Sequence, residues 1–234
     1  MTRSGVPNLI NDDWLTALPG EICSRRGLAR DPTKRLSYGS CTGWFTSRKA
    51  QLRMPFESLI ERDAMIVLES DQSVSRYRAQ PETFQISSGG RSVKYTPDLL
   101  VWFRRGDLVY REVKPTEKLI ADTSLGGRFE SIQSEAHKRG ATFETWSAAE
   151  IRREPRLSNS KLVQSASGYI TQEILVAALP RLARMTMPAT VEEIAVALGA
   201  GAHHGLALGL VGLGLLSIDI DEEILPTTLL TRSL

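Results

Sequence analysis

From residue 95 to residue 115 the hydrophobic pattern is that of two strands and a turn. Asp98 heads the apolar run Leu99-Leu-Val-Trp-Phe, Arg104-Arg-Gly-Asp follows, and Leu108 to Val113 alternate apolar and polar, which predicts a β-hairpin. Upstream, Leu59, Ile60, Met65, Ile66 and Leu68 recur at helical spacing within Phe56 to Leu68, predicting an amphipathic helix with acidic residues on its other flank. Downstream, Pro115 stops the second strand, Glu130 to Arg139 reads as a helix ended by Gly140, and 141–146 reads as a further strand. Helix, hairpin, helix and strand follow one another in this order, which reads as an α/β fold.

The chemistry of the hairpin changes what it is for. Period-two alternation points Glu112 and Lys114 to one face, next to Asp98 on the neighbouring strand. Carboxylates gathered in this way repel one another unless a hard cation lies between them, and Mg²⁺ is held by one or two carboxylates together with phosphate oxygens and water. Lys114 beside them is placed to orient or deprotonate an attacking water. Glu61, on the preceding helix, completes a set of three carboxylates, with Glu57 and Glu69 as lesser rivals. A surface hairpin with solvated charges is the plain alternative for so short a motif.

The order Glu61, Pro97-Asp98, Glu112-Val-Lys114 is that of the PD-(D/E)xK nuclease superfamily. Over about residues 20 to 165, through Phe56 to Val74, Ala79-Gln-Pro, Tyr95-Thr-Pro-Asp and Arg111-Glu-Val-Lys-Pro, the chain resembles TnsA, the endonuclease subunit of heteromeric cut-and-paste transposases. The resemblance implies a restriction-endonuclease-like core, a mixed sheet flanked by helices with the active site at one edge, and Glu61, Asp98, Glu112 and Lys114 as the catalytic set. It also implies Mg²⁺, with Mn²⁺ as a substitute, held by Glu61, Asp98, Glu112 and the Val113 carbonyl. At position 112 it implies glutamine in the best-known member, where this chain has glutamate, the commoner superfamily choice.

Charge is distributed unevenly along the 234 residues: Lys and Arg outnumber Asp and Glu 9 to 4 over residues 1–53, balance them at 17 to 16 over 54–165, and fall to 3 against 7 over 166–234. We read three regions with those boundaries: a basic amino-terminal arm, a nuclease core and a small carboxy-terminal domain. Arg25, Arg26, Arg30, Lys34, Arg35, Arg48, Lys49 and Arg53 lie among Gly, Ser, Thr and Pro with Tyr38, Trp44 and Phe45 interleaved. Such a segment reads as an irregular arm suited to DNA phosphates. Cys23 and Cys41 lack the spacing of a zinc site and read as reduced thiols. No apolar run reaches the roughly 20 residues that span a bilayer, and Met1 to Pro7 lack the apolar segment of a secretory signal; no membrane partner and a cytoplasmic location are expected.

Residues 152–167, rich in Arg and Ser and containing Pro155, read as a linker. Beyond it, 170–182, 191–198 and 205–216 read as helices, Thr190-Val-Glu-Glu as a capping box, and Ser217-Ile-Asp-Ile-Asp as the start of a wing. The pattern is winged-helix-like. Its third helix, however, has no Arg, Lys, Asn or Gln with which to reach bases or phosphates, so it reads as a core helix or a protein-docking surface. The resemblance implies docking on the AAA+ ATPase regulator of transposition. His203-His204 invite a metal but have no third ligand nearby, and Asp107, Glu117, Asp122 and His137 read as turn and surface residues.

The residues point to a metal-dependent DNA endonuclease, and the resemblance to TnsA implies that it hydrolyses the 5′ ends of a transposon, beside a transposase subunit acting on the 3′ ends. A repair or resolvase-type nuclease on the same fold and a non-catalytic DNA-binding adaptor are the alternatives.

Overall fold

A computed structural model describes residues 41–115, 123–199 and 204–233. The first strand, β1 (Gly43–Ser47), buries Phe45 and Ser47 and exposes Trp44 and Thr46. It pairs antiparallel with β2 (Leu52–Phe56), from Gly43 opposite Phe56 to Ser47 opposite Leu52. The end of the expected irregular arm is therefore an ordered hairpin. Its apolar residues Phe45, Met54 and Phe56 join the main core, a tertiary outlet that the Gly- and Ser-rich surroundings hide.

Next comes α1 (Leu59–Ser70), capped by the Ser58 hydroxyl, which accepts from the Glu61 amide at 3.2 Å. It buries every residue from Asp63 to Ser70. The central sheet has the order β3 (Val74–Ala79), β6 (Leu99–Phe103), β7 (Leu108–Lys114), β8 (Thr142–Ser147). β6 runs antiparallel to both β3 and β7, and β8 lies parallel to β7, reached through α2 (Thr123–His137). β4 (Phe84–Ser88) and β5 (Arg91–Tyr95) form a separate hairpin that the sequence pattern did not reveal. Period-two alternation sorts the sheet's apolar residues between two cores. Leu99, Val101 and Val113 face α1 and the β1–β2 hairpin, whereas Leu100, Trp102 and Tyr110 face Phe84, Ile86 and the Ile132–Ala136 stripe of α2. The fold is thus a mixed sheet with helices on its faces, as expected.

Lys49 and Glu69 lock the β1–β2 turn to the end of α1. Lys49 donates to the carbonyls of Leu68 (2.8 Å) and Asp71, the negative end of the helix dipole. Burial nonetheless pulls its ammonium down to about 8, against the attraction of Glu69 and Asp71. The unfolded chain, titrating near 10.5, then binds more protons between pH 8 and 10.5. The cost of burying this charge is constant below pH 8 and is relieved above it, by at most roughly 3 kcal/mol. Urea unfolding at pH 7.5 and pH 10 is expected to show the wild type gaining on Lys49→Met; equal pH responses would contradict this account.

The expected linker is a helix. After the short α3 (Ala148–Ile151), α4 (Arg156–Gly168) places Leu157 in the main core and Val163 and Ala166 in the carboxy-terminal core. Its Ser and Asn residues, which suggested a loop, are its packing surface: Asn159, Ser160 and Ser167 are buried, and Asn159 donates to the carbonyls of Ile220 (3.0 Å) and Glu222 (2.7 Å).

The remaining elements are α5 (Gln172–Arg184), β9 (Ala189–Thr190), α6 (Val191–Ala197), α7 (Gly205–Gly212), β10 (Leu216–Ser217) and β11 (Leu229–Arg232), with sheet order β10-β11-β9. The Thr190–Glu193 capping box forms, with bonds of 2.8 and 3.1 Å. Helix α7 buries Ala207 through Val211 and so belongs to the core, not to a docking surface. Its glycines explain the composition: a Cβ on Gly209 would lie 2.7 Å from Ile170, and one on Gly212 would lie 2.7 Å from Ser167. Among the described residues no helix is long and apolar enough to cross a membrane.

Candidate active site

The β6–β7 hairpin brings the expected residues together. Its ladder pairs Leu99 with Arg111, so Asp98 and Glu112 stand opposite each other one step beyond. Like charges in that position repel, and the surroundings show how each is held. Asp98 Oδ2 accepts the Val113 amide at 2.7 Å. Glu112 Oε2 accepts the Tyr95 hydroxyl at 2.7 Å, and its Oε1 lies 3.1 Å from Lys114 Nζ. Burial and the charge of Glu112 raise the Tyr95 phenol, which stays protonated and therefore donates. Tyr95 is a site residue that sequence reasoning passed over, although it stands three residues before Asp98.

Glu61 reaches this cluster from the amino-terminal end of α1. It accepts the Glu57 amide (2.8 Å) and the Ser58 hydroxyl (3.0 Å), so it also serves as part of the helix cap. Burial raises its carboxyl, with Glu57 and Glu112 adding to the rise against those hydrogen bonds. Asp98 is pushed well above the usual carboxylate range, first by burial, then by Glu112 and Glu61, with the Val113 amide and Lys114 opposing. The charge of Glu112 thus bears on both carboxyls, and that of Glu61 on Asp98. Of the rivals, Glu57 belongs to the same neighbourhood. Glu69 does not: it is buried and accepts from Ser47 (2.8 Å), the amides of Arg48 (2.8 Å) and Lys49 (3.1 Å), and Tyr77 (2.7 Å).

The donor chemistry fits a hard divalent cation: carboxylate oxygens only, excess negative charge and one lysine. Among the described residues no three acidic, histidine or cysteine side chains form a ready-made cage. Mg²⁺ does not demand one, because it commonly takes one or two carboxylates and completes its shell with substrate phosphate and water.

The expected DNA-contacting residues part company. Arg25, Arg26, Arg30, Lys34 and Arg35 lie outside the described residues, as do Cys23, Glu117, Asp122 and His203. Arg48 turns inward and donates to Ser167 and the Gly212 carbonyl (3.1 Å), stapling the first hairpin to α4 and α7. Lys49 is engaged at the end of α1, so neither stands as a free surface cation. Arg53 is exposed, 5.4 Å from the ring of the exposed Trp44.

Comparison with known proteins gives one family match and no match among curated proteins. Residues 71–154 match the model described as "TnsA-like endonuclease N terminal". The matched span contains Tyr95, Asp98, Glu112 and Lys114 and stops short of Glu57 and Glu61, which lie before it. Over residues 71–154, the stretch that holds the hairpin with its acid pair and lysine, the chain is similar to the amino-terminal domain of TnsA-like endonucleases.

Proposed function

We propose that the chain is a Mg²⁺-dependent DNA endonuclease subunit of a heteromeric transposase, hydrolysing phosphodiester bonds at the 5′ ends of a transposon. The observation that carries this reading is the cross-strand pair Asp98 and Glu112 with Lys114 bonded to the latter. Asp98, Glu112 and the Val113 carbonyl would hold the cation, with Glu61 completing that site or a second one. The cation, when bound, would acidify a water and offset charge on the phosphate. Tyr95 fixes the rotamer of Glu112, and the Val113 amide fixes that of Asp98. Lys114 would direct the attacking water in line and stabilise the charge that builds on the phosphoryl oxygens. The water oxygen bonds to phosphorus as the bond to O3′ breaks, leaving a 5′-phosphate and a 3′-hydroxyl.

Arg53 beside Trp44, and the basic residues before them, would contact the DNA backbone, an interaction weakened by salt. The carboxy-terminal unit has the helix-strand-helix-helix-strand-strand order and the sheet order of a winged helix, which supports that reading of it. With α7 buried, docking of an AAA+ ATPase would use the exposed Tyr169, Val176 and Val196.

Cleavage of strand-labelled transposon-end DNA with Mg²⁺ or Mn²⁺, with and without the neighbouring transposase and ATPase, tests the proposal. Cutting of the 5′ strand alone, dependent on the partners, is expected. Partner-independent cutting of branched or arbitrary DNA would instead identify a repair nuclease, and no cutting in any assembly would leave a DNA-binding adaptor.

A further inference from the structure

Gln80 lies between the end of β3 and Pro81 and is only 4 % exposed. Its backbone φ is 44°, a left-handed conformation rare for any residue but glycine or asparagine. A following proline biases the chain toward extended backbone, so this conformation is disfavoured twice. Residues held in such conformations persist where the surroundings over-determine them, and here the surroundings are the active site. The Gln80 amide donates to the Asp98 carbonyl at 2.8 Å. Its side-chain Nε2 donates to Glu57 Oε1 at 2.9 Å. A carboxylate only accepts, so the orientation of the side-chain amide is settled, with Oε1 on the other side. That oxygen is buried and has no hydrogen-bond partner among the described residues.

The residue that bonds both Glu57 and the Asp98 carbonyl therefore carries a buried amide oxygen with no donor among the described residues. It calls for a donor brought in from outside, and in an acid-rich site this is water on a cation. We propose that Gln80 is a positioning residue of the active site: its Nε2 holds Glu57 within the acid cluster, and its Oε1 accepts a hydrogen bond from a water carried on the divalent cation. The inference rests on the nuclease reading above. It assigns Glu57 and Gln80, from opposite ends of the β2-to-β3 segment, to the outer shell of the cation that Asp98 and Glu112 bind.

The test is Mn²⁺ binding by calorimetry, alongside thermal melting, DNA affinity and cleavage by the partner-assembled complex, for the wild type, Gln80→Asn and Gln80→Met. Asparagine suits the left-handed backbone better than glutamine does, so Gln80→Asn should melt no earlier than the wild type while withdrawing its amide from Glu57. Gln80→Met keeps the length and deletes both polar atoms. Both variants are expected to bind Mn²⁺ about 10-fold more weakly or worse, and to cut about 10- to 100-fold more slowly at unchanged DNA affinity, the scale of losing an outer-shell partner. Wild-type Mn²⁺ affinity in both variants overturns the role of Gln80 alone. Loss of Mn²⁺ affinity in Gln80→Asn that merely follows a lowered melting temperature marks a structural role and overturns it too. A wild-type chain that neither binds Mn²⁺ nor cuts overturns this inference and the nuclease reading together.

Discussion

Replacing Asp98 by asparagine will reduce cleavage by at least about 10²- to 10⁴-fold, the range for a group acting directly on the reaction, and will raise the melting temperature measured without added metal. Both effects come from one geometry. The side-chain oxygen of the asparagine would still accept the Val113 amide, so the strand ends stay joined, but the new side chain would no longer press a charge against Glu112 and Glu61. The pH dependence has a definite sign. Because the Asp98 and Glu61 carboxyls are raised on folding, their contribution to stability is fully present below their unfolded values and is lost as pH rises through the folded ones. The advantage of Asp98→Asn over wild type should therefore be small in acid and grow toward neutral pH, to on the order of 1 kcal/mol, an ordinary single-site effect. Added Mg²⁺ should narrow the gap by stabilising the wild type selectively. Thermal melts from pH 4 to 8, with and without Mg²⁺, read both effects; a lower melting temperature for Asp98→Asn at neutral pH would show that the carboxylates are not in electrostatic conflict.

Glu69→Ala is expected to do the reverse, costing about 3–5 kcal/mol of stability, the loss on removing one partner from a buried charged network. The substitution strands the Ser47 hydroxyl and two successive backbone amides and leaves the Tyr77 phenol with only the Met65 carbonyl at 3.3 Å. It also removes the negative charge that favours the buried Lys49 ammonium. Glu69→Gln, which preserves the shape and one acceptor oxygen, should cost less, about 1–3 kcal/mol. Urea unfolding midpoints measure both. Cleavage by whatever fraction of Glu69→Gln stays folded should remain near wild type, since Glu69 serves the β1–β2 turn. Cleavage lost in proportion to that of Asp98→Asn, at wild-type stability, would return Glu69 to the active site.

The comparison of these two acids shows what could be read from sequence. Glu61 and Glu69 sit on the same helix, both upstream of the hairpin, and periodicity alone does not separate them. Position along the helix does: Glu61 is in the first turn, next to the open end of the sheet, and Glu69 is in the last turn, against β1 and β3. Arg48, Lys49 and Arg53 were likewise one class in the sequence, basic residues among small polar ones. The structure gives them three separate fates, because a long cationic side chain caps whatever carbonyls lie within reach. Asp98, Glu112 and Lys114 were legible for the opposite reason. Local alternation and a short turn are enough to set neighbours across a hairpin, whatever surrounds it.

The sequence by itself determined what depends on near neighbours along the chain: the α1 helix, the β6–β7 hairpin and its acid pair and lysine, and the Thr190–Glu193 capping box. Only the tertiary structure decided what depends on distant partners. It made residues 156–168 a helix, because Asn159, Ser160 and Ser167 are buried by segments far along the chain. It made the glycines of α7 the means of close approach to α4, not a docking stripe. It brought Glu61, Gln80 and Tyr95 to the acid pair from three separate segments, since burial, Coulombic repulsion and hydrogen bonding act through space and have no period in the sequence.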